Sequence, residues 1–157
     1  MTPARGFTLI ELTVTLVLVG LLAYLSVPLY EVTSTRLREA ELRAALRQIR
    51  TAIDAYKTAA DSGLIAKSAA ESGYPPSLDV LVQGVDAQRD AAGRRLVFLR
   101  ALPRDPFHPD PSVPPARQWA TRSYSSPPDA PQPGDDVFDV ASRSPRVGLN
   151  GVPYREW

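Results

Sequence analysis

Glu11 is the residue that raises the question of chemistry. It stands five residues past Gly6, near the head of an apolar run, "FTLIELTVTLVLVGLLAYLSVPL", that extends from Phe7 to Leu29. A charge near the bilayer interior costs about 3 kcal/mol even on lenient insertion scales. The carboxylate therefore marks a processing event, a partner of opposite charge, or a segment that does not lie in a membrane. Elsewhere, candidate groups are sparse. The lone His108 lies in the loop "FHPDP". A Ser-His-Asp site needs a positioned base and an oxyanion hole, and no nucleophile elbow or local motif supports one, so His108 reads as a surface-loop histidine. Asp135, Asp136 and Asp139 lack the spacing of an EF-hand loop and read as a solvated turn. No Gly-rich phosphate loop, HExxH or Cys/His cluster is present. The expectation is a chain without catalytic residues, bound cofactor or enzymatic activity.

The rest of the sequence must position Glu11 and make use of it. A length of 157 residues suits one soluble domain of roughly 100 residues plus an N-terminal segment. With 18 basic and 17 acidic residues, there is no net pull towards nucleic acid or anionic lipid. Lys57 and Lys67 are the only lysines, a compositional habit and not a functional signal. The absence of cysteine excludes a disulfide framework and thiolate metal sites. Of the 16 prolines, all but Pro3 and Pro28 lie from Pro75 onward, which predicts a second half rich in loops and short elements.

About 20 apolar residues span a bilayer as a helix, so the N-terminal run is long enough. A cleaved secretory signal is one reading, but its positive region is only Arg5 and the terminal amine, and Ala23 to Pro28 makes a poor small-x-small cleavage site. A plain signal anchor explains the length and leaves Glu11 without purpose. A leader cut between Gly6 and Phe7 accounts for both. The stretch "RGFTLIEL", residues 5 to 12, resembles the processing motif of type IV prepilins: a basic residue, Gly, Phe, an apolar run, and Glu five places after the cut. The resemblance implies that prepilin peptidase cleaves after Gly6 and methylates the new N-terminus at Phe7, with Glu11 as the assembly carboxylate. Such a cut leaves an ammonium on Phe7 that a neighbouring subunit's Glu11 can meet. At 4 Å and an effective dielectric near 20 the pair attracts by roughly 4 kcal/mol. That is enough to offset the cost of holding Glu11 in apolar surroundings, which a short acidic side chain cannot escape by snorkelling.

Pro28, late in the run, removes a helix hydrogen bond and is expected to kink the rod. Beyond it, "LREAELRAALRQIRTAIDAYKTAADSG" predicts a helix whose Leu42, Leu46, Ile49, Ile53 and Tyr56, at 4-3-4-3 spacing, line one face. Glu39 with Arg43, and Asp54 with Thr58, are expected on the outer surface. Gly63 is the expected C-cap. A helix from about residue 8 to 61 is ~80 Å long. Arg36, Arg38, Arg43, Arg47 and Arg50 make a basic side, but Glu39 and Glu41 interleave and no aromatic platform accompanies them. That predicts a solvated or inter-subunit face and no nucleic-acid partner.

In the second half, "GYPPSLDVLVQGV" predicts a short helix after an N-cap at Ser77, with Leu78, Leu81 and Val82 facing inward. Leu96 to Leu102 form a second apolar patch. Alternation predicts strands at Trp119 to Ser125 and Val137 to Ser142, separated by a proline-rich loop. Tyr154 and Trp157 are placed to fold back and anchor the end of the chain. The expected fold is α+β and pilin-like: a long N-terminal helix, half membrane-type and half amphipathic, packed on a small antiparallel β-sheet domain. The expected segments are a leader at 1–6, a transmembrane and filament-core helix at 7–30, an amphipathic half at 31–62 and a globular domain at 63–157.

The phrases "GYPPSLDVLV", "LRALPRDPF", "RSYSS", "VFDVAS" and the final Trp157 resemble the major pseudopilin, the G subunit, of type II secretion systems. The resemblance implies a single-pass inner-membrane protein with a periplasmic domain. Its implied partners are further copies of itself, prepilin peptidase, minor pseudopilins and the inner-membrane assembly platform, in a filament that drives protein secretion. The absence of cysteine favours this over an adhesive type IV pilin, which commonly closes its C-terminal loop with a disulfide. A minor pilin of a type IV pilus or DNA-uptake filament is the alternative, and a signal-anchored periplasmic enzyme or sensor domain is the alternative of another class. The chain departs from the resemblance at "HPDPSVPPARQ", inserted where the family runs directly into a strand. It also departs where the family binds calcium: "RSPRVGLNGVPYRE" holds no Asp, three Arg and one Glu. Calcium takes six to eight oxygens, normally including several carboxylates. The expectation is no calcium, with the loop held by apolar and backbone contacts.

Overall fold

The computed structural model describes residues 6–68, 71–88 and 95–157. The chain divides into two units, Met1–Leu37 and Arg38–Trp157, and helix α1, Leu9–Asp61, contributes to both. The architecture is α+β, the class expected, with small antiparallel strand pairs following the helix.

In the first unit, α1 exposes apolar side chains all round, from Leu9 and Ile10 to Leu29. It is the one helix among the described residues that is long and apolar enough to cross a membrane. Four of its hydroxyls are satisfied on the helix itself. Thr13, Thr15, Ser26 and Thr33 donate to the carbonyls of Ile10, Leu12, Leu22 and Leu29 at 2.8–2.9 Å. A hydroxyl turned onto its own helix adds little unpaired polarity to an apolar face. Pro28 lies inside the helix, where its ring withholds the N–H that the Tyr24 carbonyl would otherwise receive.

In the second unit, the predicted stripe Leu42, Leu46, Ile49, Ile53 and Tyr56 is buried, widened by Ala45, Ala52, Ala59 and Ala60. Covering each large aliphatic side chain contributes about 1.5–3 kcal/mol, an upper bound for a compact unfolded chain. The helix stops as expected at Gly63. Its φ of 68° is left-handed, its N–H donates to Ala60 O at 3.1 Å, and the next amide, Leu64, reaches back to Ala59 O at 2.9 Å. This pair of bonds is a Schellman stop.

Helix α2, Leu78–Gln83, follows Ser77 and buries Leu78 and Leu81. Strands β1 (Val85–Asp86) and β2 (Arg95–Leu96) pair antiparallel. They were not predicted, because two residues are too few to show alternation. Gly84 is required between α2 and β1: its φ is 76°, and a Cβ there would lie 2.8 Å from the Leu96 carbonyl oxygen. A short α3, Pro115–Gln118, leads into β3, Trp119–Arg122, which pairs with β4, Asp139–Ser142, from Trp119↔Ser142 to Arg122↔Asp139. The predicted strand to Ser125 is cut short at Arg122 because the next amides turn away. Ser123 donates to Gln132 O at 3.0 Å and Tyr124 to Asp136 Oδ1 at 2.8 Å. The core joins the helix stripe to Leu78, Leu81, Leu99, Phe107, Trp119, Val137, Val140 and Tyr154.

Candidate processing and assembly site

The residues singled out at the N-terminus sit on and just ahead of the first turn of α1. Gly6 is not in a left-handed conformation, and a Cβ built on it would meet nothing within 4 Å. Nothing among the described residues requires a glycine there. Phe7 is 82% exposed, although it is a large aromatic. Thr8 is the N-cap: its carbonyl accepts the amide of Leu12 at 3.2 Å. The Thr8 hydroxyl accepts the Glu11 amide at 3.3 Å, and Glu11 Oε2 accepts the Thr8 amide at 3.4 Å.

That reciprocal pair is a capping box, which satisfies two of the amides a helix leaves orphaned at its start. The sequence reading gave Glu11 only an intermolecular use. The signal for the local one was present, as Thr-x-x-Glu ahead of an apolar run. The cap also places the carboxylate at the positive end of the helix dipole, where negative charge is favoured.

The second constellation lies within the globular unit and corrects three expectations. Glu39 was placed on the outer surface with Arg43. It is buried, 4% exposed, and its Oε1 accepts the Leu149 amide at 2.6 Å and the Tyr154 hydroxyl at 3.1 Å. Arg43 stays 3.6 Å from its other oxygen and stacks over Trp157, 4.3 Å from the ring centre. The C-terminal segment is therefore held by a carboxylate as well as by apolar and backbone contacts. Arg50 leaves the expected solvated face too. It donates to Asp139 Oδ1 at 2.7 Å, Val140 O at 3.0 Å and Trp157 O at 2.7 Å. Tyr154 is fully buried and stacked on Phe107, as an anchor for the chain end requires. Burial pushes its hydroxyl pKa up, and the hydrogen bond to Glu39 pushes it further in the same direction.

The acidic trio is the third correction. Asp135 is exposed, but Asp136 accepts from the hydroxyls of Ser72 and Ser123 and the amide of Tyr124, and Asp139 pairs with Arg50. Burial pushes the Asp136 carboxyl up, and the donors from Ser72, Tyr124 and Ser123 outweigh it to hold the pKa below the usual aspartate value. Asp136 and Asp139 are ties between segments, and only Asp135 keeps the solvated place expected of all three. Asp105 is a further tie that the sequence reading did not single out. It is buried, with Oδ1 accepting the Phe107 amide at 2.8 Å and Oδ2 accepting the Ser142 hydroxyl at 2.5 Å. His108 bonds only within its own loop among the described residues, through Nδ1 to the backbone of Asp110.

Residues 1–23 match the family model described as the prokaryotic N-terminal methylation motif. The match takes in Gly6, Phe7 and Glu11, and covers 23 of the 157 residues. No curated protein and no solved structure matches the chain. The chain thus carries the N-terminal motif of type IV pilin-like prepilins on an α+β fold consistent with theirs, and the motif points to a filament subunit rather than to an enzyme.

Proposed function

We propose that the protein is a pseudopilin: a structural subunit cleaved after Gly6 by prepilin peptidase, N-methylated at Phe7, and polymerised into a periplasmic filament that drives type II secretion. The observation that carries this reading is the methylation motif at residues 1–23, whose Gly6, Phe7 and Thr8 are exposed directly ahead of an exposed apolar helix. Among the described residues Gly6 has no conformational or packing reason, and we attribute it to a peptidase subsite too tight for a side chain. Exposed, non-helical chain is where a peptidase gains access. Before assembly, α1 anchors the protein in the inner membrane as a single span, with the globular unit in the periplasm. In the filament the same apolar surface packs against further copies, and Glu11 meets the Phe7 ammonium of a neighbour. Pro28 relieves one backbone bond and lets the helix bend to fit. Minor pseudopilins and the inner-membrane assembly platform are the remaining partners; nucleic acid is not one.

The finer assignment to type II secretion draws on two phrases that come together. "LPRDPF" and "DVAS" meet where Asp105 accepts the hydroxyl of Ser142. They thus form one packed unit in this chain. The test is intact-mass analysis of the membrane-extracted protein from hosts with and without prepilin peptidase. Loss of residues 1–6 with gain of one methyl group, dependent on the peptidase, is the expected result. An uncut N-terminus in its presence would overturn the reading.

A further inference from the structure

We infer that Glu39 is the built-in anchor of the C-terminal segment, taking the structural place of the calcium ion that the pseudopilin resemblance implies. The inference does not depend on filament assembly, since every contact it uses lies within the globular unit.

The segment from Arg143 to Glu156 does not fit calcium. The ion needs six to eight oxygens, several of them charged. Here Asn150 Oδ1 accepts the Val152 amide at 3.1 Å, and the carbonyls of Arg146, Gly148 and Val152 accept the amides of Tyr154, Gly151 and Gly148. Glu156 lies 3.7 Å from Arg155. Among the described residues, no three Asp, Glu or His side chains converge to share an ion.

The polarity of the segment is suited to a carboxylate instead. A cation gathers oxygens, whereas a carboxylate gathers N–H and O–H donors. The segment turns the Leu149 amide and the Tyr154 hydroxyl towards the helix, and both end on the same Glu39 oxygen. Charge-assisted bonds of this kind are stronger than neutral ones, and a buried acceptor left without donors is costly. Arg43, one turn along, covers Trp157 and keeps the charge of Glu39 compensated. Arg50, two further turns along, holds the main-chain oxygen of Trp157. Residues 39, 43 and 50 share one helix face by their spacing. One face of the helix thus supplies the negative and positive groups that hold the chain at Leu149, Tyr154 and Trp157.

The test uses the full-length chain in detergent, with trypsin cleavage at Arg146–Val147 and hydrogen exchange of the peptide containing Leu149 as readouts. In the unaltered chain, both are expected to be the same in excess EGTA and in millimolar calcium. Glu39→Ala should raise the cleavage rate about tenfold or more, on the loss of a charge-assisted pair. Glu39→Gln should raise it less, and calcium should restore neither. Tyr154→Phe, which keeps the stacked ring and removes one donor, should speed exchange a few-fold on the loss of one hydrogen bond. If Glu39→Ala does not fold, Glu39→Gln and Tyr154→Phe carry the comparison. The inference is overturned if calcium protects the unaltered segment about tenfold, well beyond the loss of one neutral bond. It is also overturned if Glu39→Gln is as resistant as the parent.

Discussion

Glu11 has two possible uses, a helix cap within its own chain and a charge for a neighbour, and one pair of substitutions separates them. Glu11→Gln keeps a side chain that can close the capping box with Thr8 but removes the charge. Thr8→Ala removes the hydroxyl side of the box and leaves the charge in place. The cap is worth about 1 kcal/mol or less, because bonds of 3.3 and 3.4 Å are at the long end. Its loss changes the association constant roughly fivefold, if the helix start must be ordered for assembly. The intermolecular pair is worth roughly 4 kcal/mol at 4 Å and an effective dielectric near 20. At about 1.4 kcal/mol per decade, that is roughly a thousandfold in subunit association. Both variants are produced full-length beside prepilin peptidase. Intact mass reports cleavage and methylation, and electron microscopy with cross-linking divides the protein between membrane pool and filament. Glu11→Gln is expected to be processed and to remain in the membrane pool. Thr8→Ala is expected to be processed and to assemble with a modest loss. Filaments from Glu11→Gln combined with none from Thr8→Ala would refute the charge-pairing argument and leave Glu11 as a cap.

Two further outcomes concern the globular unit. Asp105→Ala strips the acceptors from the Phe107 amide and the Ser142 hydroxyl in a buried site, and should lower stability by about 2–4 kcal/mol in denaturant titration of the full chain. The lowered pKa of Asp136 gives a sign to the pH dependence. A carboxyl more acidic in the folded than in the unfolded chain contributes stability above the usual aspartate value, and that contribution is lost as pH falls through the lowered folded value. The acid limb of a melting-temperature profile should therefore be shallower in Asp136→Asn, and an unchanged limb would show the Ser72, Ser123 and Tyr124 bonds to be unimportant.

The elements legible in the sequence were those specified by near neighbours. The stripe from Leu42 to Tyr56 follows from 3.6-residue periodicity, and the stop at Gly63 from the freedom of glycine at positive φ. The β3–β4 strands followed from alternation, with the far end of β3 and the start of β4 both overextended, because the Ser123, Tyr124 and Val137 amides find partners outside the ladder. The capping box of Thr8 and Glu11 was equally local and was missed only because a more distant role had been assigned to the same carboxylate.

Glu39 shows where such reasoning stops. A helical pattern assigns any glutamate beside an arginine to the outer face, and by that rule Glu39 and Arg43 were paired there. The donors that draw it inward lie 110 and 115 residues away in the chain, at Leu149 and Tyr154. Asp136 and Arg50 are alike in this, since Ser72 and Trp157 are remote partners. A buried polar group is tolerable only with its partners in place, and which partners arrive is a property of the packed chain. Sequence alone therefore determined the helix, its apolar and amphipathic halves, and the Gly-Phe-Glu spacing that lies within the N-terminal methylation motif. The tertiary structure decided which charged side chains are solvated and which bind the C-terminal segment, because that choice depends on donors and acceptors that meet only on folding.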